Sequence, residues 1–125
     1  MFAKNKGLFY ERQAEEYLTQ QGLTLLEKNY HCRYGEIDLV MLDAQYLCFI
    51  EVKYRKNNAF GGTAYSIPAS KQRKIIQTAL HFISRKKQYQ QHPYRFDAVF
   101  IQQADRLRST QIEWIQSAFE TSGYS

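Results

Sequence analysis

The chain has little of what usually gives a function away. Its 125 residues include two cysteines, two prolines, one tryptophan and three histidines. Cys32 and Cys48 have no metal-ligand spacing and form no framework. Free thiols in a reducing compartment fit them best, with a buried pair as the alternative. His31 stands beside Cys32, and one His and one Cys adjacent in sequence make a poor metal site. No apolar run approaches the roughly 20 residues that cross a bilayer. The N-terminus, Met1 to Gly7, leads into a polar helix rather than an apolar signal core. The expectation is therefore a cytoplasmic protein with no membrane partner. Internal repeats, linkers and low-complexity segments are absent as well.

What is present is a globular composition. The 44% hydrophobic and 15% aromatic content exceeds that of disordered chains. The length suits one domain over residues 1–125 with a single core, ending in a polar tail from about residue 120. The net charge is +5, from 17 basic and 12 acidic residues, and favours an anionic partner such as nucleic acid.

Residues 35–55 organise the rest. They read as two β-strands, rich in β-branched, aromatic and aliphatic residues, around the turn chemistry of Asp43-Ala44-Gln45. A loop at Ala44-Gln45 sets Asp43 opposite Tyr46, Asp38 opposite Glu51 and Glu36 opposite Lys53. One face then carries Ile37, Leu39, Met41, Cys48, Ile50 and Val52. The other carries Val40, Leu42, Leu47 and Phe49 near the turn, and Glu36, Asp38, Glu51 and Lys53 at the open end. A one-residue slip would mix charge into the apolar face. Three carboxylates at sheet spacing repel unless something positive sits among them. Lys53 is one candidate. A divalent cation is the other, and carboxylate oxygens suit Mg²⁺ or Mn²⁺ rather than zinc. The competing reading is a Glu36–Lys53 cross-strand ion pair with the other acids solvated.

Around the hairpin, residues 4 to about 21 predict a helix with Tyr10, Ala14, Tyr17 and Leu18 inward and Gly22 as its stop. On spacing alone Glu11 reads as surface. Residues 23–31 predict a strand, with Leu23, Leu25 and Leu26 as candidates to turn inward. Gly35 lets the chain turn before the hairpin. Asn57 to Thr63 form a loop with two glycines that either flexes over a substrate or merely connects. A second helix starts between Ser66 and Ser70 and runs to about Tyr89, with Gln72, Ile75, Ile76, Ala79, Leu80 and Ile83 as its inner stripe. Residues 94–101 predict a strand covered on both faces, in which Asp97 pairs with Arg95 or the backbone. A polar loop over 103–110 leads to a short strand at 111–115, and Ala118 and Phe119 pack a final turn. The fold class is α/β (α+β): a central mixed sheet flanked by helices, in the order α-β-β-β-α-β-β.

Asp38, followed by Glu51-Val52-Lys53 on the adjacent strand, resembles the D…E-x-K signature of the restriction-endonuclease-like superfamily. The series Gly7-x-x-x-Glu11-x-x-Ala14, Asn29-Tyr30, Gly35-Glu36-Ile37-Asp38-Leu39, Phe49-Ile50-Glu51-Val52-Lys53-x-Arg55, Phe60-Gly61, Lys71-Gln72 and Arg95-Phe96-Asp97 is similar to the YraN family. That family consists of small bacterial proteins described as endonuclease-like and similar in fold to Holliday junction resolvases. The resemblance implies that Asp38 and Glu51, with the backbone carbonyl of Val52, ligate Mg²⁺ or Mn²⁺. It implies that Lys53 positions the attacking water or stabilises the phosphate, and that Glu11 completes the acidic site. Lys71 and Gln72 would lie near the site or the phosphate backbone. Glu36 belongs to the motif as an accessory residue, with pairing to Lys53 or Arg33 as the alternative to catalysis. Tyr54 stands where many relatives have Thr.

The expectation is a Mg²⁺-dependent endodeoxyribonuclease acting on DNA, branched or junction DNA included. Arg55, Lys56, Lys71, Gln72, Arg73 and Lys74 would contact the backbone. The alternative is a nucleic-acid-binding accessory protein with the nuclease fold and little or no cleavage activity. A third reading is a structural or partner-binding module with an ordinary ion-pair cluster. A homodimer is the assembly that resolvase-like relatives imply.

Overall fold

A computed structural model describes residues 2–55, 67–103 and 110–121. Lys56, the glycine-bearing loop, Ser66, most of the polar loop before the last strand and the end of the tail lie outside the described residues. The described elements run α1 (Phe2–Gln20), β1 (Thr24–Cys32), β2 (Gly35–Asp43), β3 (Tyr46–Arg55), α2 (Ala69–Arg85), a single 3-10 turn (Lys87–Tyr89), β4 (Tyr94–Gln103) and β5 (Thr110–Phe119). The order of helices and strands is the one expected. The strands form one mixed sheet in the order β1-β2-β3-β4-β5, parallel only between β3 and β4. No helix among the described residues is long and apolar enough to cross a membrane.

Helix α1 ends where the sequence says it should. Gly22, at φ +104°, lets its own N–H reach the Thr19 carbonyl and the Leu23 N–H reach the Leu18 carbonyl. That pair of bonds is a Schellman cap, in which a non-glycine residue would be strained. Leu18 and Leu23 are both buried, so the cap also delivers the chain into the core beneath α1.

The sheet separates two apolar layers. Tyr10, Ala14 and Leu18 of α1 cover Leu39, Met41, Cys48, Ile50, Val99 and Ile101. On the other face, α2 covers Val40, Leu47, Phe49, Phe96, Ala98 and Phe100. Strand β4 contributes to both layers, which is why it reads as a nearly continuous apolar run. The α2 stripe is displaced from the expected one. Ile75, Ile76, Thr78, Ala79 and Phe82 are buried, whereas Leu80 is 47% exposed. Phe82 takes the inward place because its ring meets Phe49, Tyr30 and Tyr89. The helix itself stops at Arg85 rather than near Tyr89.

Two expectations at the end of the chain are corrected. β5 is a full strand of ten residues, not a short one followed by a turn. A bulge at Ser117, φ 52°, interrupts it opposite Phe96 and Ala98. The bulge aims the Ser117 N–H at the Asp97 carboxylate, 3.0 Å away. Asp97, fully buried, also accepts from Arg95 Nε at 3.0 and 3.1 Å and from Trp114 Nε1 at 3.0 Å. It is thus paired with both the partners the sequence offered, arginine and backbone, and with an indole besides. Both cysteines are free, and burial first of all pushes the Cys48 thiol up to about 12.

The hairpin follows the predicted register from Asp43–Tyr46 to Leu39–Ile50. Beyond that pair the ladder ends, so Asp38 and Glu51 are not a paired rung. The physical reason is a break in the pleat. On β1, Asn29 has φ 52°, and Lys28 and Tyr30 on either side of it turn to opposite faces. Their partners Leu39 and Ile37 do the same, so Ile37 packs under α2 rather than beside Leu39. Asp38 sits at the pivot.

Gly35 sets how closely α2 approaches this pivot. At φ +155°, a Cβ on it would lie 3.2 Å from Thr78 Oγ1, and that hydroxyl is already donated to the Lys74 carbonyl. Gly35→Ala is expected to cost about 1–3 kcal/mol, from backbone strain plus the forced shift of Thr78. Urea unfolding of the two proteins measures it, and an unchanged midpoint would contradict the close approach.

Candidate functional site

Where β2 and β3 part, groups from both layers meet. Asp38 turns its Oδ2 onto the Val52 N–H, 2.8 Å away, and so replaces the ladder bond that the parted strands no longer make. Glu51 faces α2 and is only 5% exposed. Its Oε2 is held by Lys71 Nζ at 2.6 Å. Lys53, two residues along the same strand, lies against Lys71. Glu11 reaches Asp38 and Asn29 from the α1 side. Its Oε1 is buried and has no hydrogen-bond partner. The ring of Tyr10, one residue earlier, stacks on Tyr54 at 4.1 Å and 12°. That stack pins α1 to β3 beside Glu11, so the tyrosine at position 54 has a packing role.

An open cleft of about 460 Å³ lies over this junction. Asp38 and Glu51 form its floor, Gly35 and Glu36 one rim, and Ser70, Lys71 and Lys74 the α2 wall.

The electrostatics follow from burying like charges. Burial and then the Asp38 charge raise the Glu51 carboxyl to about 7, against the pull of Lys71. The same two causes raise Glu11 to about 7. Asp38 is also raised, by burial above all, although the Val52 N–H and the Lys71 charge oppose it. Burial, followed by the charge of Lys71, holds the Lys53 ammonium below the usual lysine range. For Lys71 burial works the other way, but its contact with Glu51 outweighs it and the net direction is up. Three crowded acids and a depressed lysine at one junction are an arrangement more often found where chemistry is done than in a surface ion-pair network.

Four of the expected site residues, Glu11, Asp38, Glu51 and Lys53, are therefore gathered at one place. Glu36 is exposed on the rim and makes no ion pair with Lys53 or Arg33 among the described residues. Of the expected backbone-binding residues, Lys71 and Lys74 stand at the cleft. Gln72 instead donates its Nε2 to the Ile67 carbonyl at 2.7 Å and so holds the start of α2. Arg55 lies over the Phe100 ring at 5.1 Å. Arg73 borders a separate groove with Ile76, Gln77 and Leu80. Sequence reasoning missed two members. Asn29 flanks Glu11, and its signal would have been a positive φ, which no pattern shows. Ser70 lines the cleft one residue before Lys71.

Among the described residues no group of three or more His, Cys, Asp or Glu side chains is drawn together as a ready-made metal cage. The donor atoms at the junction are nonetheless all oxygens, and one of them, Oε1 of Glu11, is buried without a partner. That chemistry fits a hard divalent cation better than any soft one.

Residues 10–101 match the model of a family described as Uncharacterised protein family UPF0102. The chain belongs to UPF0102. A UPF0102 protein of Psychromonas ingrahamii is 50% identical over 119 residues, which cover 94% of this chain and 92% of that one. Another, from Nitrosomonas eutropha, is 49% identical over 117 residues, covering 94% and 95%. A third, from Alcanivorax borkumensis, is 43% identical over 116 residues, covering 93% and 92%. These UPF0102 relatives therefore match nearly end to end. The family span holds every junction residue, from Glu11 on α1 to Lys74 on α2.

Proposed function

We propose that this UPF0102 protein is a metal-dependent endonuclease-like enzyme that hydrolyses phosphodiesters of DNA, branched or junction DNA included. One observation carries the reading: Glu11, Asp38 and Glu51 converge with Lys53 and Lys71 where the hairpin parts, beside an open cleft that Asp38, Glu51 and Lys71 line. The restriction-endonuclease-like arrangement of Asp38 and Glu51-Val52-Lys53 on adjoining strands supports it. Asp38 and Glu51, with the Val52 carbonyl, would hold Mg²⁺ or Mn²⁺. When bound, such an ion neutralises phosphoryl oxygens and lowers the pKa of a water. The chain's own part is to orient and compensate. Lys53, its pKa depressed, positions the attacking water or the phosphate. Glu11 supplies the remaining acidic oxygen. Lys74, on the cleft wall, meets the phosphate backbone through charge rather than base recognition. Selectivity by DNA structure rather than by sequence follows. The protein is proposed to work in the cytoplasm, as a homodimer on two-fold symmetric junctions.

The second reading, a DNA-binding accessory protein with little cleavage, is favoured by a different observation. One oxygen of Glu51, Oε2, is already held by Lys71.

Cleavage assays with Mg²⁺ and Mn²⁺ on supercoiled, single-stranded, flap and four-way-junction DNA distinguish the two. Asp38→Asn and Lys53→Ala are each expected to lower the rate about 100-fold, the usual scale for losing one catalytic group. No cleavage of any substrate, with DNA binding that survives both substitutions, would leave the accessory reading in place of the enzyme.

A further inference from the structure

We propose that Lys71 is a resident counter-ion of Glu51 that leaves when a divalent cation enters and moves onto the phosphate of the bound strand. The inference rests on the metal-dependent reading above and adds to it a coupling between cation and nucleic acid.

The two partners are unequal. Glu51 is fixed in the middle of the sheet with a side chain 6% exposed, whereas the side chain of Lys71 is 42% exposed. Lys71 sits in the first turn of α2, on a long and flexible stem. Its ammonium is held at 2.6 Å by Glu51 while lying against a second ammonium, that of Lys53. Without a cation, one positive charge on Glu51 relieves the repulsion between the acids. With a cation at Asp38 and Glu51, three positive centres would crowd one carboxylate. Lys71 is the one with solvent beside it and room to go. The open cleft lies along its path, and Lys74, one turn further on α2, lines the same wall. Residues three apart on a helix are neighbours, so the released Lys71 and Lys74 form a two-cation edge suited to a phosphodiester. Cation and strand then favour each other's binding, and an unloaded protein holds DNA weakly because its best phosphate ligand is engaged.

Mn²⁺ binding, followed by electron paramagnetic resonance without DNA, tests the first half in the wild type, Lys71→Met, Lys71→Gln, Lys71→Arg and Asp38→Asn. Removing the competing charge is expected to tighten Mn²⁺ binding about fivefold to tenfold, the fold-change equivalent to a partly exposed ion pair. Lys71→Gln, whose amide still donates to Glu51, serves where Lys71→Met folds poorly. Lys71→Arg should not tighten binding, and Asp38→Asn should weaken it. Fluorescence anisotropy of a labelled junction DNA, with Ca²⁺ as the non-cleaving ion, tests the second half. Ca²⁺ should raise DNA affinity in the wild type and raise it less in Lys71→Met and Lys71→Gln. Mn²⁺ binding that is unchanged or weaker in both neutral variants, with a wild type that does bind, overturns the inference and leaves the metal reading standing. No Mn²⁺ binding by any of the five proteins would overturn both.

Discussion

Asp97→Ala is expected to lower the unfolding free energy by about 3–5 kcal/mol, the cost of removing one partner of a buried ion pair. The carboxylate is completely buried and meets only donors: Arg95 Nε, Trp114 Nε1 and the Ser117 N–H. Without it, the Arg95 guanidinium, on a side chain 12% exposed, keeps Asp43, 2.8 Å from its Nη2, and the Tyr46 and Trp114 rings. The half-buried indole N–H of Trp114 and the bulge amide of Ser117 lose their acceptor as well. Asp97→Asn should be nearly as costly, because its amide would set a new donor against existing ones. Urea denaturation of the three proteins measures this. An Asp97→Asn protein within about 0.5 kcal/mol of wild type would mean that the charge of Asp97 is immaterial, since that is the ordinary scale for surface substitutions.

The second large effect is a fall in stability as pH rises. Glu11 and Glu51 have folded values of about 7 against 4.5 as the ordinary glutamate value. Between pH 4.5 and 7 the folded protein therefore binds more protons than the unfolded chain. Stability must decrease with pH through that window and level off above it. For Glu51, whose side chain is almost wholly buried, the loss is on the order of 2 kcal/mol. Glu11 and Asp38 act in the same direction. Urea unfolding at steps from pH 4.5 to 8 should trace a falling curve. Glu51→Gln, which cannot ionise, should flatten it and be the more stable protein at pH 7.5. A curve that instead rises through the window would mean that the acids are well compensated without any added cation.

How far the sequence reaches is clearest at the hairpin. Alternation and turn chemistry fixed the register from Asp43–Tyr46 to Leu39–Ile50, because a slip would have buried charge. The same alternation failed two residues later, where Asn29 adopts a left-handed conformation and the pleat changes face. Period-two reasoning has no symbol for that change, so Ile37 was assigned to the wrong layer. On α2, helical spacing from Ile75 and Ile76 points to Leu80 and Ile83, whereas Phe82 is the buried one because its ring meets Phe49 across the helix. β5 is longer than it reads because an edge strand with polar residues carries a weak apolar pattern. Glu11 is the opposite case. Its helical neighbours make it look like surface, and only the resemblance to a known motif raised it. Its burial against Asn29 and Asp38 is a tertiary fact with no local trace. The Lys71–Glu51 contact, twenty residues apart in sequence, was invisible for the same reason.

The parallel pairing of β3 with β4 bears on the order of assembly. β2 and β3 are joined by a two-residue loop, and β1 and β2 by one as short, whereas β4 can align only after the chain has crossed over through α2. Closing the longer loop costs more entropy, so the meander is expected to form first and the crossover to dock later. Asp38 and Glu51 both belong to the meander, while Lys71 arrives with the crossover. The mutual repulsion of the carboxylates is then met with Lys53 at hand but before Lys71, the cation that Glu51 holds directly, is available. The acidic junction should accordingly slow folding as well as weaken the folded state.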